Sequence, residues 1–256
     1  MTTLEVLFSP AEFSLLKERD LSETVCVVFD VLRATSSMVT ALANGADSII
    51  PVADIPEALA VRQRRPEVLL AGERNGVRIQ SNLTGSVPFD LGNSPREFTP
   101  ELVHGRTIVM STTNGTRALR ACAHARTVLA CCFLNLRATA DSVAQLGAEH
   151  LLVVCSGTLE QAAYEDTLGA GALCDLVWHL YVAGQVADSA GMARRLFHLA
   201  HKDLSAALST SRNGKRLFAH PELKEDVAFC AQVDKLQLVA KLKNGAVRKV
   251  PEPGVP

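Results

Sequence analysis

Short apolar runs recur along the chain at Leu4–Phe8, Val25–Phe29, Ser48–Val52, Val68–Ala71, Ile108–Met110, Val128–Phe133 and Leu151–Cys155. Continuous runs of this kind suit strands covered on both faces. Between most of them, apolar residues at helical spacing predict helices over Ala34–Gly45, Ile55–Arg65, Thr116–Ala125 and Ala138–Leu146. The alternation predicts βαβ units, hence an α/β fold with a largely parallel sheet flanked by helices. From Tyr164 to Lys202 the pattern is almost entirely helical, giving a more helical C-terminal part. Lys235–Val250, centred on Asn244-Gly245, predicts a terminal β-hairpin, either an edge of the sheet or a small appendage. The chain reads as one α/β domain over residues 1–256, with two subdomains divided near 105 or 157 as the alternative.

In parallel sheets the ligand crevice lies beyond the carboxyl ends of the strands, and two strand ends here turn polar. Val25–Phe29 stops at Asp30 and continues Val31-Leu32-Arg33-Ala34-Thr35-Ser36-Ser37 into a helix. At such a junction free backbone N–H groups and the helix dipole favour an anion, while the aspartate can hold a cation beside it. Thr107–Met110 likewise runs into Ser111-Thr112-Thr113-Asn114-Gly115-Thr116-Arg117. Glycine permits close approach and the hydroxyls and Asn114 offer donors to oxyanions, although Ser, Thr and Asn also cap ordinary helices.

Further carboxylates stand where apolar runs break, at Glu73-Arg74 and at Glu165-Asp166. A hard dication takes one or two carboxylates plus water and substrate phosphate, so Asp30, Glu73, Glu165 and Asp166 form a ligand pool. For Glu165 and Asp166, complementing the dipole of a first helical turn is an equal account. Arg74 to Pro100 is the longest irregular stretch, and loops of that length are more often functional than idle. Phe29-Asp30-Val31-Leu32-Arg33-Ala34-Thr35 is echoed by Phe133-Leu134-Asn135-Leu136-Arg137-Ala138-Thr139, without the aspartate.

Composition narrows the partners. An apolar content of 48% and a mean hydropathy of +0.15 indicate an extensive core. With 26 basic against 27 acidic residues there is no general field for nucleic acid or an anionic membrane, so local arginines must hold any anion. Met1–Ala11 lacks the pattern of a signal peptide, and no apolar run approaches the ~20 residues that span a bilayer. A cytoplasmic protein is expected. The seven cysteines show no CxxC pairing and read as reduced core residues.

Several phosphatase chemistries fail on spacing. Cys131 and Arg137 have the Cys-x5-Arg spacing of thiol phosphatases, but the bulky apolar residues between them form no amide cradle. Leu32 stands where a haloacid-dehalogenase phosphatase carries its second aspartate, and no P-loop run exists. His198 and His201 are ordinary helix residues.

Asp30-Val31-Leu32-Arg33-Ala34-Thr35, Gly72-Glu73-Arg74, Phe89-Asp90-Leu91-Gly92-Asn93-Ser94-Pro95, Thr112-Thr113-Asn114-Gly115-Thr116, and Glu165-Asp166 with Ala170-Gly171 together resemble the 2-phosphosulfolactate phosphatase family, from about Val25 to Asp234. Gln80–Pro88 looks longer than the family's usual link. The resemblance implies Mg²⁺-dependent hydrolysis of 2-phospho-3-sulfolactate to 3-sulfolactate and phosphate, a step in coenzyme M biosynthesis, and a homodimer. On this view Asp30 and the other carboxylates hold Mg²⁺, and Asp30, Arg33 and Asn114 are catalytic. Thr35, Ser36 and the turn Thr112, Thr113, Gly115 and Thr116, with Arg33 or Arg117, bind the phosphoryl oxygens. Arg74 and Arg117 meet the carboxylate and sulfonate, and Asn93 and Ser94 donate hydrogen bonds to the same ligand. Either water or Asp30 attacks phosphorus. The alternatives are a phosphatase for another phosphorylated hydroxy acid and a non-catalytic binder of phosphorylated or sulfonated metabolites.

Overall fold

Each apolar run forms a strand, and the most continuous are the most deeply covered. In the computed structural model, which describes residues 1–250, the N-terminal strands are β1 (Thr3–Leu7), β2 (Thr24–Phe29), β3 (Ser48–Pro51), β4 (Leu69–Arg74) and β5 (Val77–Arg78). They are followed by β6 (Thr107–Ser111), β7 (Thr127–Cys131), β8 (His150–Cys155), β9 (Gln185–Val186), β10 (Ala240–Lys243) and β11 (Ala246–Lys249). Every residue of β2 and of β7 is buried. Along β2, Val25, Val27 and Phe29 enter one apolar cluster while Cys26 and Val28 enter another. Both faces of the strand are therefore covered, as its unbroken apolar sequence requires. The last residues of the expected 1–256 domain, 251–256, lie outside the described part.

The strands make one sheet in the order β5-β4-β6-β3-β11-β10-β7-β2-β8-β1-β9. It consists of two parallel blocks, β4-β6-β3 and β7-β2-β8-β1-β9, joined by the C-terminal hairpin. The expectation of an edge or an appendage is corrected. β10 pairs antiparallel with β7, and β11 pairs antiparallel with β3, so the hairpin is the centre of the sheet. Its local geometry follows the sequence: Asn244 and Gly245 have φ of 51° and 75°, the paired positive values of a tight hairpin turn.

The hairpin's antiparallel pairings leave the two blocks running in opposite senses. Sheet twist compensates. At roughly 20–25° per strand, the steps from β2 to β6 accumulate more than about 100°, and residues from the carboxyl ends of β2, β4 and β6 line one pocket.

Helices Ala34–Ala43, Ile55–Arg64, Gly115–Ala121 and Leu136–Gln145 occupy the expected intervals. The helical part continues beyond Lys202, through Leu204–Thr210, Arg212–Phe218 and Lys224–Cys230. No helix among the described residues is long and apolar enough to cross a membrane.

Candidate active site

The site begins where β2 ends. Thr35 clamps Asp30 by its backbone: its hydroxyl donates to Asp30 O at 2.9 Å and accepts from Asp30 N at 3.0 Å. Ala34 N donates to Asp30 Oδ1 at 3.1 Å, so one carboxylate oxygen caps the start of the following helix. The other, Oδ2, faces the second junction. A Cβ added to Gly115 would lie 2.6 Å from Asp30 Oδ2 and 2.6 Å from Ala34 Cβ, so only glycine allows the two junctions to approach this closely. Burial pushes the Asp30 carboxyl up to about 7, and the nearby Glu73 and Glu165 push in the same direction against the Ala34 N–H and Arg33. Thr35 and Ser36 are buried and outside the pocket lining, and the Ser36 hydroxyl donates to Val31 O at 2.8 Å.

The opposite wall comes from β4 and β6. Glu73 Oε1 accepts from Thr113 N at 3.0 Å and from the Thr113 hydroxyl at 2.9 Å, while Oε2 accepts from Gly76 N at 2.7 Å. Glu73, Thr112, Thr113 and Asn114 line the pocket with Asp30. Thr112 Oγ1 accepts from Thr116 N at 3.3 Å and the Thr116 hydroxyl donates to Thr112 O at 3.1 Å, an internal cap behind the lining. Arg74 turns from the pocket to donate to Glu73 O at 2.6 Å and Ser111 Oγ at 2.9 Å. Arg117 is on the surface, paired with Glu160 and 5.8 Å from the centre of the Phe13 ring.

Arg33 is buried and lines the pocket, but its guanidinium is engaged. It donates to Asp226 Oδ2 at 2.7 Å and to Gly76 O at 2.6 Å. Asp226 also accepts from the Ser94 hydroxyl at 2.7 Å, so Ser94 faces this buried pair rather than the pocket. Breaking such a pair from one side strands a buried charge, at about 3–5 kcal/mol. Asn93 lines the pocket, and its Oδ1 is buried without a hydrogen-bond partner among the described residues.

Glu165 and Asp166 lie behind the lining. Asp166 accepts from Val31 N at 2.8 Å and Gly157 N at 3.0 Å, tying the β2 junction to the loop after β8. Burial raises its carboxyl well above the usual range, with Asp30 and Glu165 adding to the effect. Glu165 is also raised by burial. Its Oε1 accepts from Asn213 at 2.6 Å, and its Oε2 is buried without a partner among the described residues.

Sequence reasoning missed the remaining lining: Asn75, Gly76, Thr158, Leu159, Asn213, Arg216 and Leu217, together with Leu32. Asn75-Gly76 carries a signal that could have been read. With φ of 56° and 83° it is a second tight hairpin turn, between β4 and β5. Asn213, Arg216 and Leu217 fall at i, i+3 and i+4 of Arg212–Phe218, which places them on one face. Leu217 belongs to the main core and anchors that face.

The pocket is small, with a cavity volume of about 90 Å³. Carboxylates, hydroxyls, amides and an arginine brought to such a pocket by strand ends define an α/β enzyme that handles a small anionic metabolite. The chain belongs to the 2-phosphosulpholactate phosphatase family, whose description matches residues 12–245. A relative from Caldanaerobacter subterraneus subsp. tengcongensis, named probable 2-phosphosulfolactate phosphatase, is 38% identical over 240 residues, covering 92% of this chain and 95% of its own. Relatives of the same name from Pseudothermotoga lettingae and Thermotoga maritima are 39% and 37% identical, covering 92% and 86% of this chain and 94% and 89% of theirs.

Proposed function

We propose that this protein is a Mg²⁺-dependent phosphatase that hydrolyses 2-phospho-3-sulfolactate to 3-sulfolactate and phosphate, the reaction used in coenzyme M biosynthesis. The observation that carries the reading is Asp30, a buried carboxylate with one oxygen capping a helix and the other turned to the Thr112–Thr116 junction. Among the described residues no three His, Cys, Asp or Glu side chains form a metal-holding group. The two lining carboxylates, Asp30 and Glu73, would hold a hard dication of the kind that also takes water and phosphate oxygens. When bound, Mg²⁺ neutralises charge on the phosphoryl oxygens and the leaving alkoxide.

The chain's own residues supply the rest. Glu73 fixes Thr113 and the β4–β5 turn, leaving the Asn114 amide and the Thr112 hydroxyl to donate to phosphoryl oxygens. Arg33 holds the same turn through Gly76 O. Water adds to phosphorus, the bond from phosphorus to the C2 oxygen breaks, and the proton the water gives up passes to the leaving alkoxide. The cysteines are all buried and unpaired, which suits the cytoplasm as the proposed location. Phosphate release from a panel of small phospho-acids, with and without Mg²⁺, tests the function. Selective, Mg²⁺-dependent turnover of 2-phospho-3-sulfolactate is expected, and turnover in excess chelator or preference for another phospho-acid overturns it.

A further inference from the structure

The charges around the pocket are unevenly committed. Of its two arginines, Arg33 is bound to Asp226 and Gly76, whereas the Arg216 guanidinium has no hydrogen-bond or ion-pair partner among the described residues. The residues expected to meet the substrate's acid groups are occupied elsewhere, Arg74 on Ser111 and Arg117 on Glu160. The two lining carboxylates, Asp30 and Glu73, belong to strand ends, while Arg216 comes from the C-terminal helices. The pocket therefore combines two carboxylates from strand ends with an uncommitted arginine from a helix.

Arg216 is also held in place. Leu217 packs in the core, and Asn213 on the same face donates to Thr158 Oγ1 at 2.8 Å and Glu165 Oε1 at 2.6 Å. A Cβ at Gly76 would lie 3.6 Å from Arg216 Cδ, so the arginine stem passes over the β4–β5 turn that Arg33 and Glu73 pin. An arginine whose helix is anchored and whose fork is free is suited to a planar or tetrahedral oxyanion.

We propose that Arg216 is a specificity-determining residue that binds the non-reacting acid group of the substrate, a carboxylate or sulfonate, while the phosphate lies towards Asp30 and Glu73. This rests on the phosphatase reading for the identity of the reacting end, but not for the binding of the second acid.

The test compares the wild-type protein with Arg216→Gln and Arg216→Lys in two assays with Mg²⁺ present. In calorimetry with 3-sulfolactate, lactate and isethionate, Arg216→Gln is expected to weaken 3-sulfolactate binding about 10- to 100-fold, the scale of one charged hydrogen bond, and Arg216→Lys to recover part of it. A matching loss for isethionate assigns the sulfonate to Arg216, and for lactate the carboxylate. In turnover, Arg216→Gln should raise KM for 2-phospho-3-sulfolactate more than it lowers kcat. Unchanged 3-sulfolactate binding in Arg216→Gln overturns the proposal, as does its absence in the wild type or a loss confined to kcat. If the wild type binds 3-sulfolactate through Arg216 yet releases no phosphate from the phosphorylated form, the phosphatase reading falls and the anion subsite stands.

Discussion

β2 and β7 are neighbouring parallel strands, and their carboxyl ends carry near-copies of one heptapeptide, yet one end opens onto a pocket and the other is solid core. Both copies bury their threonine and turn its hydroxyl to a backbone carbonyl, Thr35 to Asp30 and Thr139 to Asn135. The copies then diverge. Arg33 is buried on Asp226, while Arg137 is exposed. Asp30 meets its counterpart in Leu134, which is 1% exposed. Next to Leu134, Asn135 is fully buried and satisfied: it accepts from Cys132 N and donates to Ala130 O, Leu238 O and Thr139 Oγ1. The chain entering the hairpin roofs this end, with Asp234 N on Phe133 O and Leu236 N on Leu134 O. A strand-to-helix junction is thus a neutral scaffold. One carboxylate and the absence of a roof make it the lining of a pocket.

The sharpest way to break the comparison is to put polarity into the roofed end. Leu134→Asn removes a packed side chain and buries an amide with no partner, so a loss of about 3–5 kcal/mol is expected, or about 10 °C in melting temperature for a chain of this size. Phosphate release per folded molecule should stay near the wild-type value. A variant that melts normally would mean that the second end is not core. At the open end the effects should reverse. Asp30→Asn is expected to lose at least ~10²-fold in turnover, the scale of one strong electrostatic contribution, while melting normally or slightly higher without metal. Near-normal turnover would remove the site from the β2 junction.

A pH series sharpens the contrast. Asp30 is raised in the folded protein to about 7 from an unfolded value of 3.8, so the folded state holds the extra proton between these limits. The stability this confers is full below about pH 4 and is lost as pH rises through about 7. Metal-free wild type should therefore gain a few degrees relative to Asp30→Asn on acidification from pH 8 to 5, a difference that includes Asp166, whose carboxyl the Asp30 charge also raises. A flat difference would contradict the burial argument. The smallest effect is expected at Cys131, the last residue of β7, whose thiol burial pushes well above its usual range. Cys131→Ser should cost about 1 kcal/mol and leave turnover within about threefold, whereas a loss of several orders of magnitude would restore thiol chemistry.

Local patterns carried much of this architecture. Seven apolar runs became strands because two-faced burial needs uninterrupted apolar residues, and Asp30, Glu73 and Thr112–Asn114 stood out as polar breaks in them. Pairing partners were harder, since nothing in Lys241-Leu242-Lys243 specifies β7 as a neighbour. Short polar residues were ambiguous as well. Thr35, Ser36, Ser94 and Thr116 spend their hydroxyls on backbone or Asp226, the alternative that hydroxyls at helix starts always offer. Asn213 and Arg216 carried no signal. Ser211-Arg212-Asn213-Gly214-Lys215-Arg216 reads as a solvated turn, and only the anchoring of Leu217 directs its polar face inward.

The position of the hairpin has a further consequence for biogenesis. Among the described residues, 240–249 follow every other strand yet supply the only pairing between the two blocks. During synthesis the facing edges of β3 and β7 wait unpaired until these residues leave the ribosome, and open strand edges are where nascent chains misassociate. The pocket draws on the ends of both blocks, so a nascent chain stopped short of Ala240 holds each half of the pocket lining on a separate platform. Assembly of the pocket is thereby tied to the synthesis of residues 240–249, which act as the fastener.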